Sequence, residues 1–545
     1  MYYDHDDGYV RNVYLNSETS QTFAQAYRGK LMWKPNDTTS VIIEGNYSFS
    51  GDSAPFANHV PDGMAALSYQ LHTAGVTLPS NPYEVSLTQN PALSNRSYGI
   101  SLHGKTAFLG GTLTDIASVE FVKPYISVDV DNTSIAQNYA YIRDPETTET
   151  EELDFASPKY GFFSFVTGAY IYWDTSKLQL TVTDGIPGAP VLANISGYVK
   201  TDAQAVFAET NFDLTSKLRL VAGARYSMEG KLASAGYGTE NNFNCVTTTM
   251  SGVIHFCDLS KHWDSFTPRV ILQYKPDADQ LIYASYSQGF KSGDYNVAAL
   301  TTKPVNPETV DSYELGYKYG GRRFTLNTAA YYYSYKNIQV QAADVVGGAI
   351  ETLWENAAQA TIYGLDAEFA GHLDEHWQVN LGFEWTHARY GNFPGAQAYA
   401  PFWQTMGSVG GTACTPFSAG CYFAGENTEL LNAKGKFIQR TPEYSGDFGV
   451  TYTHPLPVGS VNANLTASYK SNYFFDAANQ TANPSYWLVN TKVSWISPTG
   501  RYTVSAWGKN ITNSLYYLWG QVDQTGPQND VAPPASGGIM VEAKF

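Results

Sequence analysis

Cysteine, charge and long apolar runs are all scarce in this chain of 545 residues. Charged residues make up 15%, against about 25% in an ordinary soluble protein. Basic residues are the scarcer sign. Thirty-three Lys and Arg stand against 50 Asp and Glu, a net charge of −17, so no nucleic-acid partner is expected. No apolar run approaches the ~18 residues of a spanning helix. The richest stretch, 162–173, is broken by Ser164, Thr167 and Gly168, which excludes a helical membrane protein. Catalytic signatures are missing too. There is no HExxH, GxSxG or phosphate loop, and the carboxylates are dispersed, so neither an enzyme nor a bound cofactor is expected.

The four cysteines form two close pairs, Cys245 with Cys257 and Cys414 with Cys421, in Gly- and Asn-rich segments without periodicity. Such pairs predict small disulfide-closed loops in an oxidising compartment. His255 and His262 flank Cys257 and complete a donor set that zinc accepts. The wide cysteine separation within one loop favours the disulfide, and no metal is expected. Yet the start, Met1-Tyr-Tyr-Asp-His-Asp-Asp7, has neither the basic head nor the apolar core of an export signal. An exported protein without that signal is expected to be missing its beginning.

What the chain has in plenty is aromatic residues, 14% of the total with 41 tyrosines, and alternation of period two. Leu218, Leu220, Ala222, Ala224, Tyr226 and Met228 alternate with polar or small residues, as do Trp377, Val379, Leu381, Phe383 and Trp385. Val461, Ala463, Leu465, Ala467 and Tyr469 repeat the pattern, and Ile539, Val541, Ala543 and Phe545 finish the chain with it. These are strands with one apolar and one polar face.

Short turns fall at 34–39, 110–115, 157–161, 213–217, 275–279, 319–322, 371–376, 454–459 and 497–500. Longer connections, notably 50–96, 174–200, 230–263 and 389–439, alternate with them. A soluble sandwich has no reason to gather short turns at one end and long loops at the other. A transmembrane barrel does, with short periplasmic turns and long extracellular loops. Aromatics beside the short turns (Trp33, Tyr160, Tyr274, Tyr319, Phe324, Trp377, Trp495) and near the long loops (Tyr47, Phe49, Phe290, Tyr473, Trp487) predict two interfacial girdles. The reading is an all-β, large antiparallel transmembrane β-barrel with about 19 to 20 strands present. An odd count cannot close antiparallel, so 1–8 is expected to be the top of one further strand.

Specific blocks resemble a family. Phe266-Thr-Pro-Arg-Val-Ile-Leu-Gln-Tyr-Lys-Pro276 is followed by Leu281-Ile-Tyr-Ala-Ser-Tyr-Ser-Gln-Gly-Phe-Lys-Ser-Gly293 and by Asn306-Pro-Glu-Thr-Val-Asp-Ser-Tyr-Glu-Leu-Gly-Tyr-Lys318. With 207–226, Gly508-Lys-Asn-Ile-Thr-Asn-Ser-Leu-Tyr-Tyr517 and the terminal Val541-Glu-Ala-Lys-Phe545, they resemble, in order, the barrel of TonB-dependent outer-membrane receptors. The resemblance implies a barrel of the 22-strand type around a plugged lumen. It places 1–545 as that barrel domain, N-terminally incomplete, without signal peptide, TonB box, plug domain or first two strands. A seam is then expected between 26–33 and 536–545.

The resemblance implies active import across the outer membrane, energised by TonB of the inner-membrane complex. A ferric siderophore is the default ligand; vitamin B12, a glycan or a passive porin-like channel are the alternatives. Strand parity puts Arg219, Arg225, Arg269, Glu314, Lys318, Asp366, Glu368, Glu384 and Asp447 on the lumen face, where they are expected to hydrate the lumen or hold a plug. The loop 389–439 is the candidate ligand contact, through Tyr399, Phe402, Trp403, Phe417, Tyr422 and Phe423 around the Cys414/Cys421 pair. It is aromatic and nearly uncharged, which suits an aromatic or amphipathic ligand.

Overall fold

The computed structural model describes residues 1–52, 59, 78–130, 132–136, 138–184, 191–237, 256–298, 303–346, 349–405, 421–523 and 526–544. Among them there is no helix. Twenty-one strand segments share one antiparallel sheet. Two of the segments, Asn138–Arg143 and Glu146–Ala156, lie end to end between the same two neighbours and count as one interrupted strand, leaving 20. They run β1 Tyr2–Asp6, β2 Thr22–Asn36, β3 Thr39–Asp52, β4 Ala92–Phe108, β5 Gly111–Asp129, then β6 as the interrupted pair. Next come β7 Phe163–Asp184, β8 Val191–Asp213, β9 Leu218–Tyr237, β10 Phe256–Tyr274, β11 Gln280–Lys291, β12 Glu308–Gly320 and β13 Phe324–Val346. The series ends with β14 Ala349–His372, β15 Trp377–Tyr390, β16 Tyr444–Leu456, β17 Gly459–Lys470, β18 Tyr486–Ile496, β19 Tyr502–Lys509 and β20 Ser536–Ala543. Each strand ladders to the next in sequence, the meander that alternate short and long connections demand.

The predicted extra strand at the start is present. β1 ladders to the top of β2, from Tyr2 opposite Ala26 to Asp6 opposite Thr22. Below Ala26, β2 ladders to β3. The two flanks of the series carry strongly exposed apolar side chains, with Leu31 at 68% and Trp33 at 62% on β2, and Ile539 at 79% and Val541 at 69% on β20.

Because paired residues point to the same side of a sheet, rows can be followed across strands. One outward row runs Trp33, Val41, Gly104, Asp115, Leu153, Ala169, Val206, Tyr226, Phe266 over nine strands. Of its apolar members, Trp33, Leu153, Val206, Tyr226 and Phe266 are exposed, and Val41 is half-buried. In a water-soluble protein that would be a costly surface; in a bilayer it is the lipid face. Aromatic girdles border it. Near the long-loop side, Tyr286, Tyr313, Tyr332, Tyr363 and His387 stand opposite one another on successive strands. Near the short turns, Tyr319 packs on Phe324 at 4.7 Å, and Trp377 on Tyr452 at 4.6 Å.

Two features depart from the sequence reading. Register puts the carboxylates of Asp115, Glu149 and Glu151 on the outward side, the two glutamates lining a recess with Ile100, Leu102 and Trp173. The lipid face is thus not free of charge, and the intruding charges are acidic, the sign that costs less there. In addition, the long connections build ladders of their own: Ala396–Thr405 with Cys421–Leu431, and Tyr517–Asp523 with Gly526–Val531. Leu315 is 60% exposed on the outward face of β12, while Ser285 on β11 opposes Glu314 on the inward face. Leu315→Arg is expected to lower barrel stability by about 2–4 kcal/mol in vesicle unfolding titrations. Ser285→Arg is expected to stay within about 0.5 kcal/mol; equal losses from both would contradict the face assignment.

Candidate functional site: the lumen wall and the mouth

Opposite each outward row lies an inward one. Ser285, Glu314, Tyr331, Gly364 and Thr386 oppose one another across β11–β15. The next row holds Tyr283, Gly316, Ala329, Asp366, Glu384 and Ser445, and the one below it Lys318, Asn327, Glu368, Gly382 and Asp447. Five carboxylates predicted to face the lumen therefore share one stretch of wall with a single predicted cation, Lys318. Four of them, Glu314, Asp366, Glu368 and Glu384, line a common recess of about 430 Å³ with Lys318.

Glycines make room for that arrangement. A Cβ on Gly316 would meet the Tyr283 ring at 2.3 Å, so the ring lies across the glycine and its hydroxyl reaches Glu314. Gly364 likewise passes beneath the Tyr331 hydroxyl, which donates to Glu384 Oε1 at 3.3 Å. Thr386 and Ser445 hydroxyls also donate to Glu384, at 2.9 and 3.0 Å. Tyr283 and Tyr331 escaped the sequence reading, although extending the parity of β11 and β13 inward would have found both.

The three predicted arginines sit apart from this patch. Glu209 on β8 crosses over Gly223 on β9 to accept from Arg269 Nη1 on β10 at 3.1 Å. Arg219 Nε donates to Asp213 Oδ1 at 2.6 Å beside the short turn, where Lys159 joins the same carboxylate. Arg225 lies over the Tyr170 and Phe207 rings. One side of the wall thus has its cations paired or laid over rings, while the other is acidic with one lysine.

At the mouth, Tyr399 lines a cavity of about 260 Å³ with Gln397, Phe475, Gln480, Trp519 and Gln521. Gln397 Nε2 donates to the Tyr399 hydroxyl at 2.7 Å, and Gln480 brackets the Tyr399 backbone through both of its amide atoms. Asp476, which also lines the cavity, accepts from the Gln480 and Thr481 backbone amides at 3.0 and 2.6 Å. Of the other loop residues, Phe417 lies outside the described residues, as do the side chains of Phe402, Trp403, Tyr422 and Phe423. Cys257 is disulfide-bonded. Cys245, Cys414 and the side chain of Cys421 lie outside the described residues.

Beneath the mouth, Val10, Val85, Leu87 and Val531 form a small apolar core, and the Tyr9 hydroxyl donates to the Val531 carbonyl at 3.0 Å. Next to it Asp530 is 6% exposed. Burial, with a contribution from the Asp52 carboxylate, pushes the Asp530 carboxyl up to about 7.

The TonB dependent receptor-like β-barrel model matches residues 2–511. The chain belongs to that family. This TonB-dependent receptor barrel is all-β, and its place is the bacterial outer membrane. The chain is similar to the ferric yersiniabactin uptake receptor of Yersinia pestis, with a TM-score of 0.79 at 16% identity, covering 100% of this chain and 74% of that one. It is 20% identical over 385 residues to the pesticin receptor of Yersinia pestis, covering 69% of this chain and 48% of that protein. It is 28% identical over 219 residues to the ferric-pyoverdine 358 receptor of Pseudomonas putida, 39% of this chain and 24% of that protein. The barrel chain thus spans about half the length of the pesticin receptor or less of the curated relatives it matches.

Asp530 gives the mouth of this receptor barrel a pH dependence. Folded, its carboxyl releases a proton near pH 7; unfolded, near pH 4. Its stabilising contribution is therefore full below about pH 4 and is lost as pH rises through about 7. Hydrogen exchange across 517–531, corrected for intrinsic rates, is expected to be slower at acidic than at alkaline pH. Asp530→Asn is expected to abolish that difference, and equal protection of the unsubstituted chain at both pH values would contradict it.

Proposed function

We propose that this chain forms the barrel of an energised outer-membrane importer, not an enzyme, and that its cargo is a ferric siderophore. The observation that carries the reading is the family match over nearly the whole chain. Two of its relatives are described by ferric-siderophore names, ferric yersiniabactin and ferric pyoverdine. The mouth cavity supports the cargo class: Tyr399, Phe475 and Trp519 offer apolar faces, Gln397, Gln480 and Gln521 offer neutral hydrogen bonds, and the one lining carboxylate, Asp476, is occupied by the backbone amides of Gln480 and Thr481. A chelate hides the charge of its metal, so a site built of rings and amides matches its periphery better than it matches a bare ion.

In this reading, cargo settles at the mouth and the acidic wall of β11–β16 grips the basic side of a plug through charge-assisted hydrogen bonds. Glu384, already holding three hydroxyl donors, is preorganised for that role. TonB of the inner-membrane complex then supplies the work that moves the plug. The disulfides Cys245–Cys257 and Cys414–Cys421 belong to the same proposal, stiffening loops that meet the cargo.

A strain lacking the receptor, grown with single ferric chelates as iron source, is expected to fail on at least one of them. Trp519→Ala in the complete receptor is expected to weaken binding of that chelate by about 2 kcal/mol, roughly 30-fold. Unchanged uptake of every ferric chelate by the deletion strain would remove the ferric-siderophore assignment.

A further inference from the structure

The outward face of β3–β6 carries a cluster of cations that the import reading does not use. On β4 the outward side chains ascend Leu102, Ile100, Tyr98, Arg96, and on β5 their partners ascend Ala117, Val119, Phe121, Lys123. Apolar residues give way to an aromatic step and then to a cationic one. Tyr98 stacks on Phe121 at 5.1 Å, and Tyr27 and Tyr47 continue the same row on β2 and β3. One step above, Arg96 lies over Phe49, Lys123 over Tyr98 and Arg143 of β6 over Tyr125, at 5.9, 5.4 and 5.5 Å. Phe49, Arg96, Lys123, Tyr125 and Arg143 line one groove of about 400 Å³.

The height of the groove is fixed by counting. Arg96 stands 12 residues above Phe108, and Lys123 stands 12 above Gly111, the residues flanking their shared short turn. At about 3.3 Å per residue and a tilt of ~40°, that is about 30 Å along the membrane normal, the thickness of the hydrocarbon core. The cations therefore emerge where acyl chains end and headgroups begin. Their charges are not spent inside the protein: among the described residues none of the three forms an ion pair or a side-chain hydrogen bond. The cation of Lys336, 12 residues above Phe324 on the outward face of β13, is different, since Asp311 takes it at 2.9 Å. In a chain of net charge −17, three unpaired cations in one outward groove are not a by-product of composition.

We propose that this groove binds the phosphate groups of an anionic glycolipid headgroup in the leaflet on the long-loop side. The two guanidinium forks match phosphate oxygens, the ammonium adds a point charge, and the rings below seat the first carbons of the acyl chains. Because the groove faces away from the lumen, a soluble cargo in transit does not meet it. The lipid instead clamps β3–β6 from outside.

The detergent-solubilised full chain, titrated with a bis-phosphorylated acylated disaccharide and read by native mass spectrometry, tests this. A one-to-one adduct is expected, weakened about 100-fold in Arg96→Gln/Lys123→Gln/Arg143→Gln. The Lys336→Gln control is expected to bind as the unsubstituted chain does, and an excess of inorganic phosphate is expected not to displace the lipid. Heat-modifiable electrophoretic mobility checks that the triple variant has folded. Independently of any variant, the dephosphorylated lipid is expected to bind the unsubstituted chain about 100-fold more weakly. Equal adducts with phosphorylated and dephosphorylated lipid, undiminished binding by the folded triple variant, or displacement by inorganic phosphate would each overturn the proposal.

Discussion

Inside hydrocarbon no water is present to satisfy a backbone amide, so every peptide group must find its partner within the protein. A long antiparallel meander meets that demand strand by strand, and the rest of this structure follows from it. Pairing fixes register, and register sorts side chains onto two faces, so one wall meets two solvents. Lipid selects the row from Trp33 to Phe266 on the outside. Water and protein select the row from Ser285 to Thr386 on the inside.

The same sorting divides the chemistry. Arginines of β9 and β10 are neutralised where they stand, by Glu209 and Asp213 or over aromatic rings. Carboxylates of β12–β15 are left facing a shared recess, and Glu314 and Glu384 among them are held in place by tyrosine and hydroxyl donors rather than by cations. Charge kept in reserve on one stretch of wall is what a second, oppositely charged element requires. Outside, the reserve has the other sign, at Arg96, Lys123 and Arg143, and sits at headgroup depth.

Much of this was legible in the sequence because alternation is a local signal. The parity of Glu314 between Tyr313 and Leu315, or of Glu384 between Phe383 and Trp385, assigns a face without any knowledge of the neighbouring strand, and register sets the nine charges on the face opposite the exposed apolar rows. The short turns were legible for the same reason. The faces of β6 were not, since Glu and Thr occupy both of them and alternation carries no contrast there. Nor was the grouping into acidic and basic sides, because it depends on which strands are neighbours. The Tyr283 ring over Gly316 and the Glu209 reach across Gly223 are properties of pairs of strands. The mouth was least legible. The burial of Asp530 arises from contacts between segments hundreds of residues apart, such as Tyr9 with Val531.

The central claim is that one wall presents lipid outside and lumen inside with period two. A nitroxide scanned through Glu308–Gly320 in vesicles tests it most directly, by relaxation with oxygen, which partitions into lipid, and with a water-soluble nickel chelate. The account predicts that 313, 315 and 317 respond to oxygen and 314, 316 and 318 to nickel. A smooth profile without alternation, or one with the two sets reversed, would contradict it.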